Sequence, residues 1–173
     1  AYREPLAISI TLPEGVEELN LHTLELAMRE NSYVYLYDEE RNLNYNINLT
    51  GDYRHIGGIM NRNEAVTDDS GNIAGGHINV TGNIVVGPHQ AKGGSAMVRI
   101  IDNGIHTIDG PGGGRIPHLY VGDDTYEPTV NVIGTFGTWD FTLNNGTFNL
   151  EEGNTMSVGR DFNYWGGSFI AKD

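Results

Sequence analysis

The sequence predicts an all-β, single-domain β-solenoid from three features: short apolar-alternating stretches stopped by glycine, a spacing near 20 residues between equivalent stretches, and Gly, Asn or Asp at the corners. Of 173 residues, 24 are glycine, 6 proline and none cysteine. Glycine at about 14% stands well above the usual level near 7%, but its irregular intervals exclude collagen. With 38% apolar and 19% charged residues the chain can pack a core. A formal charge of −13 argues against nucleic acid or an anionic membrane as partner. The missing cysteines remove disulfides and thiol chemistry, and no run approaches the roughly 18 apolar residues that span a bilayer.

Leu6, Ile8, Ile10 and Leu12 alternate with Ala7, Ser9 and Thr11, predicting a half-buried strand closed by Pro13-Glu14-Gly15. Residues 1–13 are therefore expected as an N-terminal extended strand, serving assembly or as a cap, ahead of a solenoid domain over 14–173. From Val16 to Arg29 the leucines at 19, 21, 24 and 26 fit two short strands with a bend, helix being the alternative. Tyr33–Tyr37 and Tyr45–Leu49 repeat the alternation. Strands of three to five residues then follow, among them 78–81, 84–86, 98–101, 119–121, 130–133, 141–143, 148–150 and 156–158, each closed by a nearby glycine.

Ile78, Val98, Leu119, Trp139 and Met156 follow one another at steps of 20, 21, 20 and 17 residues. Two or three short strands per step fit coils stacked at about 4.8 Å, each strand pairing with those above and below it. The parallel β-helix, in its right-handed form, is the expected version; an antiparallel meander or jelly roll is the competing one. Loop insertions are expected near 56–76, 88–95 and 111–117, where large apolar residues are few.

Leu119-Tyr120-Val121-Gly122-Asp123-Asp124, Thr129 to Val132, Thr142 to Leu150 and Met156-Ser157-Val158-Gly159 resemble the strand-loop-strand repeats of autotransporter passengers and related bacterial surface β-helix proteins. The resemblance covers about residues 77–170 and, more loosely, 19–51. It implies a β-helix fold and a cell-surface setting.

Candidate chemistry is sparse. Adjacent acids such as Asp68-Asp69, Asp123-Asp124 and Glu151-Glu152 point to opposite faces of a strand, so no catalytic residue is assigned and the chain is read as a non-enzyme. Calcium is the ion these oxygen-rich turns would suit, with Asp68, Asp69, Asp123 and Asp124 as candidate ligands and no other cofactor expected. Trp139, Tyr164 and Trp165 are candidates for a carbohydrate-stacking platform. Asn48, Asn79 and Asn145 lie in glycosylation sequons. The six histidines, at 22, 55, 77, 89, 106 and 118, lack metal-ligand spacing and read as solvated or incidental.

The expected function is a structural, secreted or cell-surface protein that assembles with itself head to tail into a filament, adhesive layer or biofilm matrix. The assembly element is the strand carrying Leu6, Ile8, Ile10 and Leu12, adding to a neighbouring copy. A carbohydrate-binding or polysaccharide-cleaving β-helix is the alternative, with polysaccharide as partner. An N-terminal Ala1 fits removal of a secretion signal.

Overall fold

The computed structural model describes residues 5–38, 40, 41, 43–61 and 76–172. Among them there is no helix, and short parallel strands stack as a β-solenoid of about 6 turns. The chain starts with β1 (Ala7–Ser9) and enters the first coil through β2 (Glu18–Leu21), β3 (Leu24–Ala27) and β4 (Tyr33–Tyr35). A hairpin of β5 (Tyr37–Asp38) and β6 (Leu43–Asn44) leads to a second coil: β7 (Asn46–Leu49), β8 (Tyr53–Gly57) and β9 (Ile59–Met60). The third coil holds β10 (His77–Val80) and β11 (Ile84–Val86), and the fourth β12 (Met97–Ile100), β13 (Ile105–Gly110) and β14 (Arg115–Ile116). Then come β15 (His118–Val121) with β16 (Thr129–Thr138), and β17 (Phe141–Leu143), β18 (Thr147–Leu150) and β19 (Thr155–Val158). The last, partial coil is β20 (Phe162–Tyr164) and β21 (Ser168–Ala171).

These strands form three walls. The first runs β2-β7-β10-β12-β15-β17-β20 and the second β3-β8-β11-β13-β16-β18-β21. The third begins β1-β4-β9, passes through the bridges Gly58 to Ala91 and Lys92 to Arg115, and ends β14, the second half of β16, then β19. β16 serves two walls: Thr129–Val132 pair with β18, and Thr135–Thr138 pair with β19. Side-chain alternation explains the core, since one residue in two points into the lumen at every coil. Along the first wall the inward row is Leu19, Ile47, Ile78, Val98, Leu119, Phe141 and Phe162. Its middle members are buried almost completely.

The strand pair over 18–27, with its bend, is present as β2 and β3. The spacing needs two corrections. The residue that stacks on Leu119 is Phe141, because Trp139 sits in the corner before β17, and Met156 lies on the third wall. The stretches 88–95 and 111–117 do not leave the body: Ala91 and Ile116 are buried and their backbones bridge coils as the third wall. Small residues there reflect close backbone approach rather than a surface loop. Of the expected insertion at 56–76, residues 56–61 belong to the second coil and 62–75 lie outside the described residues.

Candidate functional site

The two ends of the solenoid leave apolar side chains in the open. At one end Phe162 and Tyr164 occupy inward positions yet are 49% and 55% exposed, because no described coil lies beyond them. Phe162 and Phe169 close over Phe141 and Phe148 with ring centroids 4.8–6.0 Å apart. Such offset and edge-to-face contacts stabilise an aromatic plug, but they leave the outer side of Phe162 unpacked. The free edges of β19, β20 and β21 surround it.

The other end is made by β1 and the first coil. Each residue of β1 pairs in parallel with β4 of its own chain, as Ala7 with Tyr33, Ile8 with Val34 and Ser9 with Tyr35. Leu6 and Ile8 remain 58% and 42% exposed, so the strand is less covered than its alternation suggests. Ile10 packs partly buried against the core. The Leu12 amide donates to the Tyr45 hydroxyl at 3.3 Å.

Arg41, from the β5–β6 hairpin, holds this segment down. Its Nη2 donates to the Leu12 carbonyl at 2.9 Å and also contacts the Tyr45 hydroxyl, while its Nε donates to Asp38 Oδ2 at 2.8 Å. The Arg41 hydrogen bonds, with one from Tyr45, lower the Asp38 carboxyl to about 2. Asp38 therefore favours the folded arrangement above its ordinary carboxyl range, and this contribution is lost as pH falls through about 2. Arg41→Ala is expected to speed amide exchange at Ile10 and Leu12 while leaving the global unfolding midpoint little changed. Unchanged exchange there would show that β1 pairing alone fixes the segment.

The outer face of the first wall carries a polar ladder. Asn48 donates to Asn20 Oδ1 at 3.0 Å, and Asn79 donates to Asn48 Oδ1 at 2.8 Å. Two of the three sequon asparagines thus spend their amide nitrogens on coil-to-coil bonds. Asn145 sits in a turn, and its Nδ2 likewise donates to the preceding coil, to the Asp123 carbonyl at 3.2 Å. Further along the same face the Arg99 guanidinium lies 5.6 Å from the Tyr120 ring centroid, and the Trp165 ring stands edge-on to Tyr120 at 6.5 Å.

The three aromatic candidates do not share one platform. Trp139 precedes β17 and Trp165 follows β20, at opposite ends of the first-wall strands. The Arg115 guanidinium covers Trp139 at 4.2 Å, Trp165 is 67% exposed, and the Tyr164 hydroxyl donates to the Gly167 carbonyl. Asp123 Oδ1 accepts from the amides of Thr125 and Tyr126, which is a turn-forming role. Asp68 and Asp69 lie outside the described residues. Among the described residues no three His, Cys, Asp or Glu side chains gather as metal ligands.

The histidines need correction, since His55, His106 and His118 are buried. His55 Nε2 donates to the Gly58 carbonyl at 2.9 Å, leaving Nδ1 to accept from the Tyr53 hydroxyl at 3.0 Å. Burial lowers its pKa to about 4 and raises that of Tyr53. His106 lies between the Gly82 carbonyl and Asp102, at 2.7 and 2.6 Å. His118 is 2.7 Å from Asp140 Oδ2, and Arg160 binds both oxygens of that carboxylate. Burial lowers the His118 pKa; at Asp140 burial works upward, but Arg160 and His118 bring the net shift downward. This corner network ties three successive coils together. The inward phase of His55 and His106 in their alternating strands is the signal that marks them as core residues.

The fold defines a three-walled parallel β-solenoid whose end strands, among the described residues, have one edge without a strand partner. No protein-family model, curated protein or solved structure matches this chain.

Proposed function

We propose that the protein is a structural component of an extracellular or cell-surface layer, a short rod that joins head to tail into filaments. The observation that carries this reading is the pairing of exposed apolar rows with free parallel strand edges at both ends. Unpaired edges recruit further strands, and a head-to-tail contact between different surfaces propagates without closing. A secreted location accords with the resemblance of the repeats to bacterial surface β-helix proteins.

Sedimentation and negative-stain microscopy of the purified chain test the proposal. At moderate salt, which screens the repulsion between copies of charge −13, filaments that lengthen with protein concentration are expected. Deletion of residues 1–13 is expected to suppress them while leaving a folded monomer. A monodisperse monomer from the full 173 residues under all such conditions overturns the reading. Because β1 pairs with β4 of its own chain, a deletion variant that unfolds would show that the strand is needed for the fold of its own subunit, and the full chain then carries the test.

A further inference from the structure

The two ends are unequal in a way that makes them complementary. In every full coil the chain visits the first wall, then the second, then the third. Among the described residues the last partial coil supplies strands to the first and second walls, β20 and β21, and none to the third. At the other end, among the described residues, β1 is the one strand ahead of the first full coil, and it belongs to the third wall. From this we infer that the joint between two copies is one composite coil, with β20 and β21 from one copy and β1 from the next. The inference rests on the head-to-tail reading and specifies its partner surface and register.

Continuing the residue rows across the joint gives that register. On the first wall Phe162 meets Leu19 of the next copy and Tyr164 meets Leu21, because these pairs terminate the same inward rows. On the second wall Ala171 meets Leu24. On the third, the row Ile8, Val34, Met60 at one end and Ile116, Thr138, Val158 at the other places Val158 on Ile8 of the next copy. Two residues earlier, Met156 meets Leu6. Phe162, Tyr164, Ala171, Val158 and Met156 thus each meet an apolar partner at the other end, which removes both from water, while Phe169 falls over His22.

The outer rows agree. Asn163 meets Asn20, where the asparagine ladder of the first wall stops, so the ladder runs on across the joint. Lys172, bonded to Glu151 in its own copy, falls in the row that begins with Glu25, itself bonded to Arg54. A carboxylate on each side of Lys172 is favourable across stacked strands. Asp161 over Glu18 is the one like-charge pair, and Arg160 stands beside it.

Cysteine linking reads the register directly, because the chain has no cysteine of its own. Stacked partners lie about 4.8 Å apart, within the roughly 4.4–6.8 Å between Cα atoms that a disulfide accepts. The N20C/N163C variant places its cysteines at opposite ends, some six coils and thus about 29 Å apart, so it can link only between copies. Under mild oxidation it is expected to give a ladder of covalent multimers on non-reducing gels. A7C/S157C, on the third wall, is expected to do the same and serves if substitution at Asn20 disturbs the fold. H22C/N163C, displaced two residues along the strand, is expected to link at least about tenfold more slowly. Filaments without a ladder from either in-register pair, or equal linking by the displaced pair, overturn the composite coil and leave the filament reading standing. Monomers alone in sedimentation overturn both.

Discussion

Gly94→Ala is expected to unfold the middle of the solenoid. A Cβ at Gly94, whose φ is +138°, would lie 1.8 Å from the Met60 carbonyl oxygen, 2.5 Å from its carbon and 2.8 Å from its nitrogen. All three atoms are backbone of the coil below, so no side-chain rotation relieves the overlap. The third coil must lift off the second, breaking the bonds Met60 and Asn61 make with Gly93, Ser95 and Ala96. Strained backbone and lost pairing together should remove more than about 4 kcal/mol. Gly153→Ala is the matched comparison: its φ is +78°, but nothing lies within 4 Å of the added Cβ. That variant should cost only the left-handed backbone penalty of about 1–2 kcal/mol. Urea denaturation of the two distinguishes steric exclusion from backbone preference, and equal midpoints would sink the argument.

Acidification from pH 6.5 to 4 is expected to destabilise the protein through His55. The buried ring is held neutral, with a pKa of about 4, whereas in the unfolded chain it protonates at its ordinary value. Between these values the unfolded state binds more protons, so stability falls as pH falls; above the ordinary histidine range this contribution is constant. The full loss from this group is roughly 3 kcal/mol. His55→Gln retains a donor for the Gly58 carbonyl but cannot titrate. The variant should be less stable at neutral pH and flatter across the window. The same pH slope in the variant and the parent chain would assign the acid sensitivity to other groups, of which His77 and His118, both shifted downward by burial, are the first.

The repeat was legible where bulky apolar residues mark the lumen, as at Ile78, Val98 and Leu119, which share one row. It was illegible where the wall is made of small residues. Ala91, Gly93 and Gly114 resemble loop sequence, yet Ala91 is buried and backbone from adjacent coils approaches Gly93 and Gly114 so closely that larger side chains would not fit. Trp139 looked like the next core residue after Leu119, but the corner takes two more residues before Phe141 reaches the row. The acidic and aromatic candidates stand out by residue type, and type says nothing about convergence: Asp123 folds its own turn, while Trp139 and Trp165 stand at opposite ends of the first-wall strands.

Alternation and turn chemistry are local, so the amino-acid sequence by itself determined short strands, glycine corners and a stacked all-β core. Which coil a residue meets is not local, since strand partners lie 18 to 31 residues away and their match depends on every corner between them. Only the tertiary structure therefore decided that there are three walls, that three histidines are enclosed, and that β1 joins the third wall while β20 and β21 join the first and second.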